Sequence, residues 1–163
     1  MEKRCLTRCW VLLILACAAL ANPAPGQAAL PMTHDLETLL REAQVQRVPV
    51  LLAFMQKDCP YCTRARRHLE PLLASTEWGG RALMREIDID STTRMRDFEG
   101  RLTTPRDFAR AQGIRMVPTI MVFDDRGRRA GEPVVGLLTE DFYSAYIVRA
   151  LEAGYTQVTA APR

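Results

Sequence analysis

The chain has 163 residues, 48% of them hydrophobic and 25% charged, with a formal net charge of +3. That length and composition support one globular domain with a substantial core, and the near-neutral charge gives no case for nucleic-acid binding.

The N-terminal stretch is set aside before any fold reasoning. Lys3, Arg4 and Arg8 stand against a single acid, Glu2, and twelve apolar residues then run unbroken from Trp10 to Ala21. The run is short for a bilayer span, and Ala19-Leu20-Ala21 offers the small-x-small site of a secretory signal peptide cut before Asn22. A cut after Ala28 is an alternative. A retained membrane anchor is another, and lipid attachment at Cys17 a third, because Ile14-Leu15-Ala16-Cys17 resembles a bacterial lipoprotein box. Export is the preferred expectation, with the membrane a partner only if the N-terminus is retained or lipidated. Losing residues 1–21 removes Cys5, Cys9 and Cys17 and leaves 19 basic against 18 acidic residues, a formal +1. Cys59 and Cys62 then remain alone, which is no disulfide scaffold. The expected organisation is a signal peptide over 1–21, a flexible lead-in over 22–32, one domain over 33–156 and a tail over 157–163, without internal repeats.

Along the domain, Asp35 is a candidate N-cap for a first helix, with Leu36, Leu39, Leu40 and Ala43 at the spacing of one apolar face. Val48-Pro49 opens the apolar run from Val50 to Met55. It does not alternate, as expected of a strand buried on both faces. Residues 63–75 read as a helix with Leu69, Leu72 and Leu73 inside, and Pro71 is expected to kink it or mark a broken turn. A loop follows, then a strand over 82–90, with Leu83, Ile87 and Ile89 on one side and Glu86, Asp88 and Asp90 on the other. Residues 91–103 are a polar excursion with no assigned structure. Thr104-Pro105 starts a short helix that should stop at Gly113. Residues 119–123 and 128–135 flank Asp124-Asp125-Arg126-Gly127, a hairpin signal. Thr139 caps a last helix with Tyr143, Tyr146, Ile147, Ala150 and Leu151 on its buried stripe, ended by Gly154. The sum is an α/β domain, a central mixed sheet with helices on both faces.

The chemistry centres on Cys59-Pro60-Tyr61-Cys62, between the buried strand and the helix. Two cysteines three apart on a first helical turn share a face and can close a small disulfide ring. Cys59, nearest the helix start with its free N–H groups, is expected to be the exposed and more acidic nucleophile, and Cys62 the resolving thiol. Pro60 suits the first turn and Tyr61 offers an aromatic surface, so both tune the site. Lys57 and Asp58 flank the nucleophile with opposite charges and read as solvated. A structural zinc site would need two further ligands where the mature chain offers only His34 and His68, so no metal is expected. Thr63 in place of histidine excludes haem attachment. His68, nearly two turns beyond Cys62, reads as a surface or half-buried histidine. Arg64, Arg66, Arg67, Arg94 and Arg96 read as solvated rather than as a docking patch. Met55, Met84, Met95, Met116 and Met121 read as packing rather than copper ligands.

Given this motif at a strand–helix junction and Val117-Pro118-Thr119 at the hairpin, the chain resembles thioredoxin-fold proteins over about 35–154. Cys-Pro-Tyr-Cys is similar to the pair in many glutaredoxins and some periplasmic Dsb-type proteins. Asp97-Phe98-Glu99-Gly100, Gly113-Ile114 and Phe123 to Gly127 are similar to periplasmic SoxW-like thioredoxins. The resemblance implies that Pro118 follows a cis peptide bond and faces the disulfide, and that the Val117 backbone pairs with an extended substrate. It also exposes a departure: the buried aspartate that thioredoxins carry six residues before the first cysteine is Ala53 here, and Asp58 replaces the usual tryptophan. The implied function is periplasmic thiol–disulfide exchange on protein or peptide disulfides or dithiols, without a cofactor, in the reducing direction, with electrons from a membrane thiol carrier. A Dsb-type oxidase or isomerase is the alternative enzyme, and a metal-binding or redox-sensing module the non-enzymatic one.

Overall fold

Strand β1 (Val50–Met55) is buried at all six positions, and its alternation divides the core in two. Val50, Leu52 and Phe54 belong to one apolar cluster, and Leu51, Ala53 and Met55 to the other. The structure, a computed structural model, describes residues 29–137 and 139–160. The expected signal peptide with Cys5, Cys9 and Cys17, most of the lead-in and the last three residues therefore lie outside the described residues.

A strand is apolar on both faces when both are covered, and here helices cover both. Helix α1 (Leu36–Gln46) begins at Asp35, whose carboxylate accepts the Thr38 N–H at 2.9 Å, and buries Leu36, Leu39, Leu40 and Ala43 against the first cluster. Helix α2 (Pro60–Ala74) covers the second. It runs without a break through Pro71 to Ala74, so the broken turn expected there is absent. Strand β2 (Leu83–Asp88) pairs parallel with β1. Leu83, Ile87 and Ile89 face the first cluster as expected. The side expected to be polar is covered as well: Met84 joins the second cluster and Glu86 is only 7% exposed.

The end of the lead-in, expected to be flexible, lies against the domain. Leu30 is buried, the Thr33 N–H donates to the Glu86 carbonyl at 3.2 Å, and the Glu86 N–H donates to the Pro31 carbonyl at 2.9 Å. Its last residues are a strap along the outer edge of β2.

The polar excursion forms a small ribbon, β3 (Met95–Arg96) against β4 (Leu102–Thr103). Helix α3 (Pro105–Ala111) starts where Thr104 accepts the Asp107 N–H and is followed by Gly113 at φ +77. Strands β5 (Thr119–Phe123) and β6 (Arg129–Val135) complete the order β2-β1-β5-β6, with β5 antiparallel to both neighbours. The ribbon and the hairpin close with the same device. In each, an aspartate (Asp97 or Asp124) accepts the N–H groups two and four residues on and the guanidinium of the following arginine (Arg101 or Arg128). Gly127, at φ +74, lies so close over Phe98 that a Cβ would meet it at 3.3 Å.

Helix α4 (Glu140–Ala160) buries Tyr143, Ile147, Ala150 and Leu151 as expected, whereas Tyr146 is 44% exposed. Gly154 does not end it. The helix continues to Ala160, taking in residues 157–160 of the expected tail and burying Val158. Gly154 serves a close approach instead, since a Cβ there would lie 2.5 Å from Val122 Cγ1 and 2.9 Å from Pro49 Cβ. Among the described residues no helix is long and apolar enough to cross a membrane.

In an open helix interior, alanine is favoured over glycine by about 1 kcal/mol. Gly154→Ala should nevertheless destabilise this protein by about 1–3 kcal/mol, because α4 must be pushed off β5. Urea unfolding checks it; an unchanged or higher midpoint contradicts the close-approach account.

Candidate functional site

Strand β1 ends at Met55, and an exposed turn through Lys57 and Asp58 delivers Cys59 to the start of α2. Cys59 is the N-cap, in extended conformation at φ −107 and ψ 111, with Pro60 at the first helical position. The Cys62 N–H donates to Cys59 Sγ at 3.2 Å, so sulfur takes the place usually held by a serine or aspartate oxygen. The Thr63 N–H closes the turn on the Cys59 carbonyl at 3.0 Å.

Both thiols are free, and their environments differ. Cys59 is half-buried, whereas Cys62 is wholly buried among Ala53, Ala65 and Leu69. Burial pushes the Cys62 thiol up to about 12, helped by its hydrogen bond with Cys59 and by negative charge on that sulfur; the Gln56 backbone and Arg66 oppose this only in part. At neutral pH Cys62 keeps its proton. The arrangement is an accessible sulfur on a helix N-terminus above a protonated reserve, the order that a two-step thiol exchange requires.

The hairpin brings the second sequence motif to the same end of the sheet. Thr119 pairs with Phe54, next to the last residue of β1, so Val117 and Pro118 leave the sheet beside the turn that carries Cys59. The Val117–Pro118 peptide is cis. Val117 and Cys59 pack against the cluster that contains Cys62, and the Pro118 carbonyl accepts the Gly136 N–H at 2.7 Å. Tyr61 is 54% exposed, with the Arg64 guanidinium 4.7 Å from its ring centre and Arg64 paired to Glu140 at 3.2 Å. Met116 and Val135, both exposed, flank the cis proline.

Some residues fall elsewhere. His34 is exposed, and His68 Nδ1 lies 2.9 Å from Ser144 Oγ with its ring edge-on to Tyr143. Among the described residues no three His, Cys, Asp or Glu side chains gather as a metal site. Met55, Met84, Met95 and Met121 are core residues; Met116 is on the surface. Arg67, Arg94 and Arg96 are solvated, but Arg66 is not: its Nε and Nη2 grip the two Glu86 carboxylate oxygens at 2.8 and 2.6 Å.

That pair is one feature sequence reasoning missed, although the four-residue spacing from Cys62 to Arg66 places both on one helix face. Tyr143 is the other. Among the described residues its buried hydroxyl has no partner, and burial pushes its ionisation upward, so the phenol stays neutral.

The sequence matches the thioredoxin-like domain family over residues 36–150. No curated protein matches it. Among solved structures it is similar to a variant thioredoxin from Halobacterium salinarum at 27% identity and a TM-score of 0.50, over 75% of this chain and 91% of that one. Mitochondrial thioredoxin 3 from Saccharomyces cerevisiae (17% identity, TM-score 0.51, 76% and 93%) and Fasciola hepatica thioredoxin (15%, 0.52, 74% and 99%) share the fold.

The thiol asymmetry has a pH signature. Below about pH 9 folded and unfolded chains both hold the Cys62 proton; between 9 and 12 only the folded chain does. Stability of the reduced protein should therefore fall as pH rises through that window, by up to about 1.4 kcal/mol per pH unit. Urea midpoints of the reduced protein and Cys62→Ser check it: the extra alkaline loss should vanish in the variant. Iodoacetamide at neutral pH should label Cys59 and spare Cys62.

Proposed function

The chain belongs to the thioredoxin-like domain family, and from that premise we propose that it is an exported thiol–disulfide oxidoreductase that reduces protein or peptide disulfides. The observation that carries this reading is the dithiol itself, with Cys59 half-exposed at the helix start and Cys62 buried and protonated behind it.

The Cys59 thiolate attacks one sulfur of a substrate disulfide. A mixed disulfide forms, and the other substrate sulfur leaves as a thiolate. Cys62 then passes its proton to the released substrate thiolate or to water and attacks Cys59 Sγ; the mixed disulfide breaks and the second substrate sulfur leaves as a thiolate. Two electrons pass to the substrate, and Cys59–Cys62 becomes a disulfide that a dithiol donor must reduce again. In an oxidising compartment that donor is a membrane thiol carrier, and the periplasm is the proposed location. The affinity with SoxW-like and Dsb-type proteins rests on the Cys-Pro-Tyr-Cys, Asp97–Gly100 and Phe123–Gly127 segments. The Val117 backbone next to the cis peptide is the proposed docking edge for an extended substrate, with Tyr61, Met116 and Val135 as its apolar surround.

Insulin-disulfide reduction with a dithiol donor tests the reading. Cys59→Ser should fall to the uncatalysed background, and Cys62→Ser should accumulate a mixed disulfide with little turnover. Full activity in either variant, or stoichiometric copper or zinc retention without turnover, would replace the enzyme with a binding module.

A further inference from the structure

Resting on the dithiol reading above, we propose that the Arg66–Glu86 ion pair sets the position of the Cys59–Cys62 dithiol/disulfide equilibrium. Arg66 is the cation presented to the sulfurs, and Glu86 is the residue that positions Arg66 and offsets its charge.

Three observations place the pair there. Arg66 follows Cys62 by four residues on α2, so the two side chains leave the same face of the helix. Glu86 stands opposite Ala53 in the β1–β2 register, and cross-strand partners point to the same side of a sheet. That side is the cluster containing Ala53, Met84 and Cys62. The adjacent strand thus supplies a carboxylate beside the position where Ala53 has none. Finally, the contact is a two-pronged guanidinium–carboxylate grip with Glu86 almost wholly buried, a geometry that fixes both groups.

A pair of this kind contributes little net stability against an apolar replacement, so stapling α2 to β2 is a weak reason for its presence. Its effect on the sulfurs has a definite sign. The Arg66 charge acts on both cysteines. The other titratable groups around them are Lys57 and Asp58 in the exposed turn, Tyr143 from α4, and His68, engaged with Ser144 further along α2. When the dithiol reduces a substrate, the attacking thiolate and its protonated neighbour become a neutral disulfide as two electrons pass to the substrate and the remaining thiol proton is released. A nearby cation stabilises only the reduced, charged side of that exchange. Taking the charge off Glu86 strengthens the cation; removing Arg66 abolishes it.

The test is a glutathione redox titration of the full chain at neutral pH, read by thiol alkylation. Glu86→Gln should move the equilibrium about tenfold toward the dithiol, a shift of about 30 mV. Arg66→Met should move it in the opposite sense, and Arg66→Lys, which keeps the charge, should return toward wild type. Both single variants titrating with wild type, or moving in the same direction, would overturn the proposal. A merely structural pair would lower both melting temperatures without splitting the redox shifts. Should Glu86→Gln not fold, Arg66→Met against Arg66→Lys decides, because the proposal requires them to differ. If the wild-type chain never forms a disulfide against glutathione, the oxidoreductase reading fails instead.

Discussion

The N–H of Cys62 reaches back 3.2 Å to the sulfur of Cys59, and the site takes its order from that bond. A helix start leaves several N–H groups without partners, and here one of them is spent on sulfur. For the contact to form, β1 must end at Met55, the turn must deliver Cys59 in extended conformation, and Pro60 must occupy the first helical position. The same geometry sends Cys62 inward, because a residue one turn into α2 faces the sheet. Exposure of one sulfur and burial of the other are thus two readings of one helix origin.

Burying Cys62 requires a face already prepared for it. The alternation of β1 gives Leu51, Ala53 and Met55 to the side that α2 and α4 cover, and small residues set how close those helices come. Ala53 and Ala65 make room for the thiol. Gly154 lets α4 lie against Val122 and Pro49. The dense apolar packing that results is what keeps the Cys62 thiol protonated.

Much of this was legible in the chain, where local chemistry and tertiary packing agree. Asp35 and Thr104-Pro105 announce helix starts by side-chain capping, and Val50 to Met55 announces a central strand by its lack of alternation. Local signals failed where a distant element decided the outcome. Gly154 has the form of a helix stop, yet its meaning lies in Val122, more than thirty residues away. Glu86 sits at the polar phase of an alternating strand and reads as solvated until α2 lays Arg66 over it. Pro71 and the proline-rich lead-in carry breaker composition, but α2 continues through the first and the edge of β2 organises the end of the second. The family pattern pointed to a missing carboxylate at Ala53; only the strand register shows that a different one stands beside it.

Glu86 belongs to two systems at once. Its side chain holds Arg66 within the field of the sulfurs, and its backbone is clasped on the outer edge of the sheet by Pro31 and Thr33. The approach of the polypeptide to its own domain is therefore wired in series with the charge next to the thiols. A partner that peeled this margin away by adding its own strand would loosen the footing of the carboxylate from the far side of the sheet. On the redox role proposed above, that would shift the balance of the two sulfurs without touching either cysteine.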